Sequence, residues 1–262
     1  METEHDEKKR ATHPGAYILP SAFTTANIFC GFYAITSVWN GDLDAAAMAI
    51  GIAIVLDGFD GRIARMMGAT SKFGLQLDSL ADAISFGVAP ATLLWAWQMK
   101  ELGYLGWIAA FLYMICGIMR LARFNVQSSE MKHFLGLPIP AAAGLVASLA
   151  HFYIKYKSWI FFQSKEFPYV LVAMAALLGV MMISTIRYGS FKSLSVRKGN
   201  PRFNILLIAL LIAGIWFLSH EVLLIFAFTY LLSGIIGTVR RKIWPRSVLQ
   251  KIPDEKGAPT AS

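Results

Sequence analysis

The sequence predicts an all-α, polytopic integral membrane helical bundle of about eight transmembrane helices. Three observations predict it. Hydrophobic residues make up 56% of the chain and charged residues only 15%, the composition of a membrane protein. The apolar residues fall into runs near residues 18–39, 44–67, 73–98, 104–124, 139–156, 168–188, 203–219 and 221–239, each close to the length that crosses hydrocarbon. With a cytoplasmic N-terminus, 20 of the 24 Lys and Arg residues fall on the cytoplasmic side; Lys100, Lys155, Lys157 and Lys165 are the exceptions. The net charge of +8 is then a basic face beside anionic lipid, and needs no nucleic acid to explain it.

In chain order, residues 1–16 are polar and lack the basic start, short apolar core and small-residue cleavage site of a signal peptide. They predict a cytoplasmic N-terminus ahead of a retained first helix. Residues 17–243 are expected to form one transmembrane domain with no long linker. Its two longest cytoplasmic loops, 125–137 and 189–202, are polar and basic. Gly136-Leu137-Pro138-Ile139-Pro140 breaks the chain before the fifth helix, and Ser219-His220-Glu221 makes the last two helices a tight hairpin. Residues 244–262, with Pro253, Gly257 and Pro259, predict a mobile cytoplasmic tail. Cys30 and Cys116 lie inside predicted helices without metal-ligand spacing, so they read as structural thiols.

Chemistry concentrates in the second and third helices. There Asp57-Gly58-Phe59-Asp60-Gly61-Arg62-Ile63-Ala64-Arg65 is followed by Gly74, Asp78 and Asp82. Each carboxylate in a membrane span costs roughly 2.5–3.5 kcal/mol on insertion scales, so four require positive charge among them. Two nearby arginines do not neutralise four facing carboxylates, whereas divalent cations do. On a continuous helix Asp57, Asp60, Gly61, Ala64 and Arg65 fall at i, i+3, i+4, i+7 and i+8, one face. Gly74, Asp78 and Asp82 fall at i, i+4 and i+8, again one face. A short turn around Ser71 makes the pair antiparallel and lets the acidic faces converge, with Gly61, Ala64 and Gly74 clearing space for a ligand or a close helix. Hard oxygen donors suit Mg²⁺, Mn²⁺ or Ca²⁺ rather than zinc. Four carboxylates are enough for two ions, an arrangement suited to displacement at phosphorus. Arg65, one turn beyond, is placed to meet a phosphate.

The run Asp-x-x-Asp-Gly-x-x-Ala-Arg, eight residues, then Gly-x-x-x-Asp-x-x-x-Asp resembles the signature of the CDP-alcohol phosphatidyltransferase family, matched at every position. That resemblance implies an integral membrane enzyme that displaces CMP from a CDP-linked lipid by an alcohol, using two divalent cations. It further implies that Asp57, Asp60, Asp78 and Asp82 are metal ligands and that Asp82 is also the general base. Gly61, Ala64, Arg65, Ser71 and Gly74, with Asn27 in the first helix, would hold the CDP-lipid. Asn27 also reads as an amide that joins helices.

Flanking blocks are similar to the bacterial membrane-embedded phosphatidylserine synthases within that family. These are Leu19-Pro20 with Asn27 and Gly31, Phe73 to Asp82 followed by Ser85-Phe86-Gly87-Val88-Ala89-Pro90, Arg120 to Asn125, and Gly136 to Ala141. Ser21 stands where that resemblance leads one to expect Asn. The implied reaction transfers the phosphatidyl group of CDP-diacylglycerol to L-serine, giving phosphatidylserine and CMP. Arg120 or Arg123, with Asn125, would bind the serine carboxylate, a bidentate fork for a guanidinium; each arginine equally reads as a positive anchor at a helix end. The expected place is the inner, cytoplasmic membrane with the site facing the cytoplasm, and the expected assembly is a homodimer. Three alternatives stand beside this reading: another acceptor (glycerol 3-phosphate, inositol or choline), a cation transporter, and a purely structural protein.

Overall fold

The computed structural model describes residues 18–67, 72–127 and 136–186 and, nearer the C-terminus, residues 221, 224, 225, 227–232 and 234. Among the described residues every regular element is a helix and there is no strand. The helices are α1 (Ile18–Trp39), α2 (Leu43–Met67), α3 (Lys72–Asp82), α4 (Ala89–Trp97), α5 (Tyr104–Gln127), α6 (Ile139–Tyr156) and α7 (Phe167–Ile183). A π-helical turn, Ala83–Val88, joins α3 to α4, and a 3₁₀ turn, Met99–Leu102, leads towards α5.

Six of the predicted spans coincide with these helices. The seventh, 203–219, lies outside the described residues, as do 1–17, Ser71 and 235–262; the eighth is described only in part. Two continuous helices, Phe73–Trp97 and Tyr104–Val126, are long and apolar enough to cross a membrane, and Phe167–Ile183 is a shorter apolar helix. The sixth span stops at Ile183 and not at 188. Around that end backbone carbonyls take partners from the segment before α6. Gly136 N–H donates to Ile186 O at 2.8 Å and Leu137 N–H to Met181 O at 3.0 Å.

Local chemistry sets the ends. Gly41, at φ 79°, closes α1 in a Schellman motif: Gly41 N–H reaches Val38 O and Asp42 N–H reaches Ser37 O. Asp42 then accepts the Ala45 N–H at 2.9 Å and so caps α2. One residue serves both helices, which makes the α1–α2 hairpin tight. Gly136, at φ 80°, starts the approach to α6; a Cβ there would lie 2.2 Å from Met182 O.

The core holds these helices closely because its α2 and α6 faces are alanine-rich. Ala46, Ala47, Ala49 and Ala53 of α2, and Ala142, Ala143, Ala147 and Ala150 of α6, are all buried. Small residues bring backbones together where side-chain bulk would separate them. The most extensive contacts are α1 on α2, α5 on α7 and α2 on α6. An aromatic group of Trp97, Tyr153, Phe162 and Phe167 closes the end of the bundle where α4, α6 and α7 meet. Trp97 is therefore packed inside, whereas Trp95 is exposed. Both cysteines are free thiols, Cys116 buried and Cys30 half-buried.

Candidate functional site

α2 runs without a break through Met67, so the spacing Asp57, Asp60, Gly61, Ala64 and Arg65 does fall along one helix. The side chains of Asp60, Gly61, Ala64 and Arg65 lie outside the described residues. Gly74, Asp78 and Asp82 all lie in α3, before the π-turn, so their common face is also intact. The two helices bring three carboxylates together: one oxygen each from Asp57, Asp78 and Asp82, all within 4.8 Å of one another. All three residues are partly buried.

Three like charges at this separation in a half-buried site repel strongly. Protons or cations have to relieve them. The donors are all carboxylate oxygens, with no imidazole or thiolate in the group. That set fits a hard divalent cation.

Around the cluster the predicted residues divide. Arg120 of α5 is 8% exposed and its charge acts on Asp82 and on Tyr230. Its Nε has no hydrogen-bond partner among the described residues. Arg123, one turn on, points elsewhere. Its Nη1 donates to Ile183 O at 3.0 Å and its Nη2 lies 3.5 Å from Ser184 O, so the guanidinium caps the C-terminus of α7. Asn125 donates from Nδ2 to Ser79 Oγ at 2.9 Å, tying α5 to the residue after Asp78. Asn27 is fully buried, and neither its amide nitrogen nor its amide oxygen has a partner among the described residues. Its backbone carbonyl accepts the Ser85 hydroxyl at 2.8 Å.

Sequence reasoning gave no role to Ser79, Ser85, Tyr113 or Tyr230. Ser85 stands inside a quoted block but with no partner named. Tyr113 carried one signal, a hydroxyl in the middle of an apolar run. Its hydroxyl donates to Phe86 O, 3.1 Å away.

Described residues that are helical throughout, with a carboxylate cluster between two successive helices, define the class: a helical protein with a site fit for divalent metal. The profile of the CDP-alcohol phosphatidyltransferase family matches residues 17–181, and the chain belongs to that family. It is an enzyme of that kind. The chain is 37% identical over 222 residues, 84% of its length and 90% of the relative's, to a CDP-diacylglycerol–serine O-phosphatidyltransferase of Helicobacter pylori. It is 34% identical over 174 residues, 66% of its length and 91% of the relative's, to the Bacillus subtilis enzyme with that name. An archaetidylserine synthase of Methanothermobacter thermautotrophicus is 36% identical over 172 residues, 65% of this chain and 69% of the relative.

Proposed function

We propose that this enzyme transfers the phosphatidyl group of CDP-diacylglycerol to the hydroxyl of L-serine, giving phosphatidylserine and CMP. The observation that carries the reading is the convergence of Asp57, Asp78 and Asp82 beside the buried cation Arg120. The names of the relatives from Helicobacter pylori and Bacillus subtilis support serine as the acceptor.

Asp57, Asp60, Asp78 and Asp82 would hold two divalent ions, Mg²⁺ or Mn²⁺, with Ca²⁺ a further fit to the donors. Bound there, such ions supply positive charge against the pyrophosphate and its developing negative charge. Asn27, Gly61, Ala64, Arg65, Ser71 and Gly74 hold the CDP-lipid. Asn27 brings to that task two amide atoms without a partner among the described residues, and a buried amide with no partner otherwise costs about 1–3 kcal/mol. Arg120 binds the serine carboxylate, its Nε being available, while Asn125 orients Ser79 beside Asp78. Asp82 takes the proton from the serine hydroxyl as its oxygen bonds to the phosphorus that carries diacylglycerol. The bond from that phosphorus to CMP breaks, and CMP leaves. No covalent enzyme intermediate is required, since no Ser, Cys or His is set up as a nucleophile in this scheme.

The enzyme sits in the inner membrane as a multi-pass protein, its site open to the cytoplasm, in the orientation set by Lys and Arg placement. It works as a homodimer. The test is CMP release from CDP-diacylglycerol with Mn²⁺ and a panel of serine, glycerol 3-phosphate, inositol and choline. Release that depends on serine and on the ion is expected. Release with another alcohol, or cation flux in liposomes without CMP release, would overturn the reading.

A further inference from the structure

The helix that carries Asp78 and Asp82 is not uniform. Immediately after Asp82 it widens into the π-turn Ala83–Val88, then resumes as α4. A π-turn is an α-helix with one additional residue, and it needs local support because it disturbs the i→i−4 ladder.

Helix phase explains what the extra residue does. At about 100° per residue, the midpoint of Ala89, Pro90, Ala91, Leu93, Leu94 and Trp97 in an unbroken helix would sit roughly 90° round the axis from that of Asp78 and Asp82. Those six residues are the buried face of α4. One extra residue takes back about 100°, so the acidic face and the buried face come onto the same side. The additional residue must fall after Asp82. Placed between Asp78 and Asp82, it would turn one carboxylate away from the other by a similar angle, and the cluster with Asp57 would open.

Two other helices hold the turn in place. From α5, the fully buried Tyr113 donates its hydroxyl to Phe86 O at 3.1 Å. From α1, the Asn27 carbonyl takes the Ser85 hydroxyl at 2.8 Å. Gly31 lets α1 lie against this turn, since a Cβ there would stand 2.5 Å from Ser85 Oγ.

We propose that Tyr113 is a positioning residue for the transfer reaction: by holding the Phe86 carbonyl it pins the π-turn between Asp82 and α4, and so keeps Asp78 and Asp82 on the face that meets Asp57. The proposal rests on the reading of those aspartates as a divalent-cation site. In this role Tyr113 acts through the helix, by way of the Phe86 carbonyl.

The experiment titrates Mn²⁺ into the purified full chain in detergent, followed by electron paramagnetic resonance, for wild type, Tyr113→Phe and Ser85→Ala. Circular dichroism confirms folding, and turnover is measured in parallel. Tyr113→Phe leaves a buried acceptor without its donor, so Mn²⁺ affinity is expected to fall about 10-fold. Turnover number falls with it while KM for serine stays unchanged. Folded Tyr113→Phe with wild-type Mn²⁺ affinity would overturn the proposal, even if its melting temperature dropped. Should Tyr113→Phe fail to fold, Ser85→Ala, which loosens the other side of the turn, is read by the same criterion. Wild type that binds Mn²⁺ yet releases no CMP with serine would defeat the functional reading alone, and the resonance titration would still decide the role of Tyr113.

Discussion

His151 Nδ1 lies 2.6 Å from the Asp44 carboxylate and ties α6 to the first turn of α2. The histidine side chain is 9% exposed and the aspartate 41%, so the pair sits at the rim of the core. Asp44 stands about 20 Å along α2 from Asp57, at 1.5 Å per residue. Two stretches of one helix therefore do separate jobs: its first turn anchors it to α6, and a turn about 20 Å further on presents a carboxylate to the cluster. His151→Ala is expected to cost about 1–2 kcal/mol of stability. The turnover number of the folded enzyme should not change. Thermal unfolding beside a turnover assay checks this, and a parallel loss of both would show that the two ends are coupled.

Asp82→Asn should separate stability from activity with opposite signs. In chelator, wild type holds three crowded carboxyl groups with no cation to relieve them. Removing one is expected to stabilise the chain by roughly 1 kcal/mol. On adding Mn²⁺ the order reverses. Wild type gains about 2.7 kcal/mol at an ion concentration 100 times its Kd, and the variant gains less. Under the proposed role of Asp82 as general base, turnover is expected to fall by about 10²–10⁴-fold. Melting curves with and without the ion, set beside CMP release, give all three comparisons. A variant destabilised in chelator would mean that Asp82 is held by a bond worth more than the repulsion.

The two arginines of α5, three residues apart, are expected to fail in different ways. Arg120→Lys keeps the charge beside Asp82 but loses the planar fork, so KM for serine should rise about 10-fold with little change in melting temperature. Arg123→Ala removes the donors to Ile183 O and Ser184 O and should lower stability by about 1–2 kcal/mol. Its KM for serine should stay put. Steady-state kinetics and thermal unfolding on both variants decide the assignment; an unchanged serine KM in Arg120→Lys would remove it from the acceptor site.

What the sequence made legible follows from periodicity. Apolar runs and small-residue spacing located six helices, and carboxylates at i and i+4 on α3 put Asp78 and Asp82 on one face before any coordinates. The meeting of Asp78 and Asp82 with Asp57 was also expected, from two acidic helix faces that follow one another closely in the chain. Two things did not follow. A π-turn has no apolar spacing signature inside a continuous apolar run; the hint the sequence did hold is Pro90, which has no N–H to give Phe86 O, and it was not read as a phase shift after Asp82. The partners of Arg123 and Asn125 depend on where α7 and α3 come to lie, and sequence distance carries no information about that. Arg120 and Arg123 look alike as letters; packing alone distinguishes a side chain beside Asp82 from one wrapped over a helix end.

Gly31 offers the sharpest test of how α1 meets the π-turn. Its backbone faces Ser85 with no room for a methyl: a Cβ would lie 2.5 Å from Ser85 Oγ, 2.9 Å from its Cα and 3.1 Å from its Cβ. The hydroxyl could rotate away, but the Cα is backbone and has to move with the turn. Gly31→Ala is therefore expected to cost about 1–3 kcal/mol of stability, the usual range for overpacking a core. The hydroxyl contact is one of three, so Gly31→Ala with Ser85→Ala should recover only part of that loss. Replacing Ser85 by Gly removes both side-chain contacts and should recover more. Unfolding free energies of the single and double variants form a cycle whose coupling term isolates the contact. Simple additivity in that cycle would mean that α1 and the π-turn do not press on each other at this point.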